Sequence, residues 1–140
     1  MQITENKMKH ILTVARQCYE IAKNKYNLEE SECQKAFMIG YLHDIGYEFS
    51  SLAINHPEIG FMLIKQTLGV ELPEIYNHGK PDCEQDKFLA ILNEADLTVN
   101  SEGKVVPVED RLNDIKERYS ATSVQYIDAL RLAKKLKLIL

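Results

Sequence analysis

The chain has 140 residues, 45% of them hydrophobic and 27% charged, with a formal net charge of −4. This length is enough for one domain with one core, and the lack of any apolar run of about 20 residues argues against a membrane span. The acidic balance argues against a nucleic-acid polymer as a partner, because binding a phosphate backbone needs a basic face, but it leaves room for a small phosphorylated ligand.

Helical periodicity predicts an all-α chain. The first helix is predicted over about residues 4–26, with Thr4 as its N-cap. The second is predicted to open at Ser31 and to stop at Gly46. A glycine inside a helix costs about 1 kcal/mol relative to alanine, so we expect Gly40 to mark close packing against a neighbouring helix.

The remaining chain continues the helical pattern. Asn55, Pro57 and Glu58 form a strong helix start, with a cap, a first-turn proline and an acid at capping-box spacing. Helices are predicted over residues 55–69, 73–78, 84–99, 108–119 and 123–138. The valine-rich run at 105–108 is too short and too interrupted by proline to anchor a sheet. We expect one compact all-α domain spanning residues 1–140.

The polar N-terminus shows no apolar stretch of signal-peptide type. The three cysteines, Cys18, Cys33 and Cys83, form no CxxC pair. We therefore expect a cytoplasmic protein with free, reduced thiols.

Six residues could carry metal chemistry, because neutral imidazole nitrogen and carboxylate oxygen suit divalent iron, manganese and zinc. They are His10, His43, Asp44, His56, His78 and Asp96. Taken singly, a histidine beside an apolar face is more often a hydrogen-bonded structural residue than a ligand, and Asp96 can pair with a surface lysine. Taken together they favour a metal site, because all four histidines of the chain are predicted at helix ends or beside buried faces.

The order His…His-Asp…His…His…Asp resembles the HD superfamily of metal-dependent phosphohydrolases. The strings Gly-Tyr-Leu-His-Asp-Ile-Gly at 40–46, His-Pro-Glu-Ile-Gly at 56–60 and Asn-Glu-Ala-Asp at 93–96 agree with it. The resemblance covers about residues 7–100 and leaves a C-terminal helical extension over about 101–140. It implies a bundle of about five core helices followed by C-terminal helices.

The resemblance also implies roles for these residues. His10, His43, Asp44 and Asp96 would hold one divalent metal, with the His43-Asp44 pair at the catalytic centre. His56 and His78 would hold a second ion, and Asp44 would bridge the two. Iron or manganese is favoured, as one or two ions, while magnesium, cobalt, nickel and zinc stay open.

The activity implied is cleavage of a phosphate ester or anhydride of a nucleotide-like small molecule through metal-activated water. The pattern is similar to that of small bacterial HD proteins that cleave dinucleoside polyphosphates symmetrically. Cyclic-dinucleotide phosphodiesterases are less similar, because they carry a GYP-type signature that this chain lacks. No membrane partner is expected, and a homodimer stays open.

Substrate contacts are harder to assign. Many family members continue the HDIG string with a lysine, where this chain has Tyr47, which would stack on a base, bond a phosphate or simply pack. Lys80, two residues after His78, is the cation best placed for a phosphate, and Arg111 is another candidate. Lys65 and Lys104 complete the candidate cations.

Each candidate cation has a simpler explanation as a solvated surface charge, and Arg111 or Arg118 can pair with Asp114 at helical contact spacing. Two alternatives to a hydrolase remain. One is a non-catalytic HD module that binds a metal, a nucleotide or a partner protein, and the other is a purely structural helical domain.

Overall fold

The computed structural model describes residues 4–48 and 55–140. A 3₁₀ helix, Ile45–Glu48, lies between the second and third α-helices. The α-helices are α1 Glu5–Asn24, α2 Glu30–Leu42, α3 His56–Leu68, α4 Pro73–Asn77, α5 Lys87–Asp96, α6 Val108–Tyr119 and α7 Val124–Lys135. Within these ranges, extended pairing is limited to one isolated bridge between Val99 and Val105. The predicted all-α class is confirmed.

None of the helices in the described ranges combines the length and the apolar character that crossing a bilayer requires.

Helices α1 and α2 pack closely. Thr4 caps α1 as predicted, with its Oγ1 accepting a hydrogen bond from the Lys7 amide at 3.1 Å. A Cβ on Gly40 would lie 2.8 Å from Cys18 Sγ and 2.9 Å from Ala15 Cα. Both distances are shorter than the roughly 3.5–4.0 Å of an ordinary carbon contact. The prediction that Gly40 marks a close helix contact is therefore confirmed.

The buried apolar side chains form three clusters. The first joins α1, α2 and α5 and contains Val14, Ile39 and Leu92. The second joins α6 and α7 to the residue after α5, Leu97. The third lies between α3 and α4. Helix α5 thus connects the N-terminal helices to the C-terminal pair, and Asp96 lies at its end.

The prediction that Gly46 ends the second helix is wrong. Helix α2 ends at Leu42, and Gly46 lies inside the following 3₁₀ helix. A Cβ on Gly46 would overlap the His56 carbonyl oxygen and lie 3.0 Å from the Gly60 amide nitrogen. The glycine is needed because the start of α3 packs directly against this backbone.

Other helix boundaries differ from the predictions by a few residues. Helix α2 begins at Glu30 rather than Ser31. Helix α5 begins only at Lys87, because the Asp86 carboxylate caps it by accepting from the Leu89 amide at 2.9 Å. It ends at Asp96 rather than at residue 99, because the chain turns there towards the isolated bridge. Helix α7 ends at Lys135 rather than at residue 138.

The remaining boundaries agree with the pattern. Helix α3 stops before Gly69, whose φ of 68° is the left-handed conformation that glycine adopts easily. Helix α4 ends at Asn77, so that His78 already has extended backbone. Helix α6 has the predicted bounds, Val108–Tyr119.

Candidate metal centre

His10 is held in α1 by a turn that follows α5. Its Nδ1 lies 3.0 Å from the Asn100 carbonyl oxygen. The same turn packs on α1 at Gly103, where a Cβ would lie 2.6 Å from Lys9 atoms. There the Thr13 hydroxyl donates to the Gly103 carbonyl at 2.7 Å. The Asn100 carbonyl therefore orients the His10 ring, and the contacts at Gly103 hold the turn against α1.

His43 and His78 are oriented by their own helix ends. His43 Nδ1 lies 2.6 Å from the Gly40 carbonyl oxygen, and His78 Nδ1 lies 2.6 Å from the Ile75 carbonyl oxygen. A carbonyl oxygen only accepts, so Nδ1 carries the proton in both rings. In the neutral form Nε2 then presents a lone pair, which is the arrangement of a metal-ligating histidine.

Four residues meet at one side of the cluster. His10 Nε2 lies 2.9 Å from Asp96 Oδ1 and 3.6 Å from Asp44 Oδ2. His43 Nε2 lies 3.1 Å from Asp44 Oδ2 and 3.6 Å from Asp96 Oδ1. His10, His43 and Asp44 offer ligand atoms within 4.8 Å of one another. Asp96, at the end of α5, lies beside them, so the four residues predicted to hold the first metal lie close together.

The other oxygen of Asp44 faces the remaining histidines. Its Oδ1 lies 3.0 Å from His56 Nε2 and 3.5 Å from His78 Nε2. The two Nε2 atoms are 2.9 Å apart. Asp44, His56 and His78 form a second group with ligand atoms within 4.8 Å. Each oxygen of Asp44 thus faces a different histidine pair, as a bridging carboxylate requires.

The chemistry of the donors fits a cation. His43 is fully buried, and its Nε2 makes no hydrogen bond within the described residues although Asp44 is close. A neutral imidazole would direct its lone pair at carboxylate oxygens, which is repulsive unless a positive charge intervenes. Burial alone would lower the pKa of His43, but the carboxylates of Asp44 and Asp96 raise this pKa to about 10. The two carboxylates thus favour a positive charge at His43 Nε2, which a bound metal ion would supply.

The pKa values of Asp44, Asp96 and His78 are also shifted. Burial alone would raise the pKa of Asp44, but His43 and Lys7 hold it well below its usual range. Burial alone would also raise the pKa of Asp96, but His10 and His43 hold it well below its usual range. Burial lowers the pKa of His78, against the opposing effect of Asp44. These shifts favour ionised carboxylates and a neutral His78, which are the forms that bind metals.

Two further residues cover the cluster. Lys7 Nζ lies 3.4 Å from Asp44 Oδ2 and 4.1 Å from the centre of the Tyr47 ring. The Tyr47 ring stacks on His56 with centroids 4.2 Å apart. Burial raises the pKa of the Tyr47 hydroxyl, and the charge of Asp44 and a hydrogen bond to Tyr119 raise it further.

Lys7 was not among the predicted site residues. Its position three residues before His10 places both on one face of α1, so a signal for it was present in the sequence. Tyr119 was not predicted either. It reaches Tyr47 through the tertiary fold, and no local pattern connects the two residues.

The predicted substrate contacts are engaged with protein groups. Lys80 Nζ lies 2.7 Å from Glu58 Oε1 and 3.9 Å from the centre of the Tyr76 ring. Lys65 Nζ lies 3.0 Å from Glu71 Oε1.

Arg111 contacts the cluster directly. Its Nε donates to the Asp96 carbonyl at 3.0 Å, and another guanidinium nitrogen lies 3.5 Å from Asp96 Oδ1. It also bonds Asp114 at 3.1 Å, the pairing that the helical spacing left open. Arg111 thus ties α6 to the end of α5 where Asp96 projects. Lys104 is exposed in the turn after α5.

A cavity of about 410 Å³ opens onto the cluster. Its lining includes five of the six predicted ligands, His43 being buried behind them, and the predicted contacts Tyr47, Lys80 and Arg111. The opposite wall comes from α6 and α7. This volume lies in the range of small-molecule sites, roughly 300–1,000 Å³.

The sequence model of the HD domain matches residues 8–117. No curated protein and no solved structure shows significant similarity to the chain. HD domains are in general metal-dependent hydrolases, and the histidine and aspartate cluster fits that chemistry. Since the match covers well over half of the 140 residues, the chain belongs to the HD domain family.

Proposed function

We propose that this protein is a metal-dependent phosphohydrolase that cleaves a phosphate ester or anhydride of a nucleotide-like small molecule. The observation that carries the proposal is the pair of three-residue groups that share Asp44. A structural domain has no use for four histidines converging on the buried carboxylate of Asp44 and the half-buried carboxylate of Asp96, because burying such groups without strong compensation is costly.

The residues divide into two sets around Asp44. His10, His43, Asp44 and Asp96 would hold one divalent ion, and Asp44, His56 and His78 would hold a second. The chemistry that bound divalent metal supplies is the activation of water and the polarisation of a phosphoryl oxygen. Iron or manganese suits imidazole and carboxylate ligands together.

The surrounding protein groups orient the metal ligands and neutralise the charge of a bound phosphate. Backbone carbonyls fix the rings of His10, His43 and His78. Arg111 holds Asp96 from the side of α6. In our proposal Lys7 supplies positive charge to a bound phosphate at the mouth of the cluster.

The residues predicted to bind the substrate have less direct roles in this proposal. Lys80 would reach a phosphate only by exchanging its bond to Glu58. Tyr47 would shape the site by packing on His56. Arg111 would act through Asp96 rather than by touching the substrate.

The test begins with elemental analysis of the anaerobically purified protein. Turnover is then assayed in the presence of the metal found. The substrates are nucleoside mono- and triphosphates, a dinucleoside tetraphosphate and p-nitrophenyl phosphate. The decisive variant is Asp44→Asn, which removes the shared charge with little change in shape. The matched control is Asp82→Asn, at an exposed carboxylate paired with Arg131.

We expect Asp44→Asn to lose bound metal and turnover while Asp82→Asn keeps both. A metal-to-protein ratio near two would support both groups of ligands. Turnover that survives in Asp44→Asn would refute the proposal. Bound metal without turnover of any ester would favour a non-catalytic HD module, and no metal binding would favour a structural domain.

A further inference from the structure

The cavity continues from the metal cluster to the C-terminal helices. Helix α7 lines it with Gln125, Asp128, Ala129 and Leu132. These residues stand at positions i, i+3, i+4 and i+7, so they form one face of the helix. We call them the α7 face. The family match ends at residue 117, so the α7 face lies outside the part of the chain that carries the shared metal chemistry.

The α7 face has an apolar floor and a polar edge. Leu132 and Ala129 are buried, and Leu97 and Ile115 line the cavity with them. Gln125 and Asp128 precede them by one turn and are only partly buried. The surface that results combines apolar contact area with a carboxylate that accepts hydrogen bonds and an amide that both donates and accepts.

A flat heteroaromatic ring matches this surface. The apolar floor can take the ring, while N–H groups on the ring edge can donate to Asp128. Tyr119 lines the same cavity, and tyrosine is well suited to packing against a base. The cations Lys7 and Arg118 also line it, so one cavity offers charge for phosphates and an apolar wall for a ring.

We propose that the α7 face is a nucleobase subsite that selects the organic part of the substrate. This inference rests on the proposed function, because the phosphate of the same ligand would lie at the metal cluster. The subsite would raise the affinity of a nucleotide over that of a phosphate ester without a base.

The test uses variants on two faces of α7. Ala129→Phe fills the floor, and Asp128→Ala removes the acceptor at the edge without crowding the core. The control is Ile127→Phe, since Ile127 is 45% exposed and lies outside the cavity lining. Each protein is titrated with adenosine, guanosine, cytidine and uridine by ligand-observed NMR. The ratio of kcat/KM for a nucleoside phosphate to that for p-nitrophenyl phosphate is then measured.

We expect at least one nucleoside to bind the wild type and the Ile127→Phe control alike. Ala129→Phe and Asp128→Ala should weaken that binding at least tenfold and lower the kcat/KM ratio at least tenfold through KM. The subsite is refuted if no nucleoside binds the wild type, or if both cavity variants behave like the control.

The two proposals fail in different ways. A nucleoside has no phosphate to cleave, so its binding reports on the α7 face even if no ester is turned over. Conversely, turnover of p-nitrophenyl phosphate without nucleoside binding would leave the proposed hydrolase intact and eliminate the subsite.

Discussion

Replacing Gly46 by alanine should damage the second metal group more than the fold. The added methyl would overlap the His56 carbonyl oxygen and lie 2.8 Å from the His56 carbonyl carbon. An ordinary carbon contact needs about 3.5 Å, so the start of α3 must move away by ~0.7 Å or more. His56 supplies Nε2 at 3.0 Å from Asp44, so this shift should pull one ligand out of the second group.

The overpacking itself should cost about 1–3 kcal/mol of stability. Gly69→Ala is the matched control. Among the described residues, no atom beyond the adjoining backbone lies within 4 Å of its added Cβ, and its φ of 68° makes alanine strained there. That strain should cost about 1–2 kcal/mol. Both variants should therefore lose similar stability, and only Gly46→Ala should lose metal.

The assay combines thermal unfolding with titration of the metal-stripped proteins by Mn²⁺. We expect two binding events for the wild type and for Gly69→Ala, and one for Gly46→Ala. The reasoning fails if Gly46→Ala binds both ions with wild-type affinity. It fails equally if Gly69→Ala loses the same event, because the effect would then follow stability rather than the position of His56.

Three further predictions concern the site and the thiols. Asp44→Asn should abolish both metal-binding events, whereas His78→Gln should abolish only one. Calorimetry that shows equal losses in the two variants would contradict the shared role of Asp44. Lys7→Ala should tighten metal binding about two- to fivefold, since a cation 3.4 Å from Asp44 Oδ2 is removed; Lys9→Ala, at an exposed position of α1, should leave the affinity unchanged. Iodoacetamide should modify Cys83 in the native protein and spare the buried cysteines of α1 and α2, whose pKa is raised by burial; mass spectrometry that finds all three modified at equal rates would contradict this.

Features with a local cause could be predicted from the sequence. Thr4 and Gly69 act on their own helix ends, and the structure places them as predicted. The ligand candidates were found because their residue types and order are unusual together. That their side chains would meet was favoured by their predicted positions at helix ends or beside buried faces, and was implied by the resemblance to a family.

Features with a tertiary cause could not be predicted. Gly46 has the signal of a helix stop, but its role depends on the His56 carbonyl, ten residues away in the chain. The anchoring of His10 by Asn100 joins positions 90 residues apart. The bond from Arg111 to Asp96 depends on how α6 returns to α5. Neither propensity nor periodicity contains information about such contacts.

The two helix ends that carry His43 and His78 have a consequence for the entropy of metal binding. Each ring bonds the carbonyl three residues before it, and that carbonyl belongs to the last turn of its helix, where backbone acceptors lack a helical partner. A local contact at each helix end therefore restricts these two rings. Part of the rotamer freedom that a ligand loses on binding a metal is thus already lost in the folded protein. The entropy cost of binding the ion is smaller by that amount.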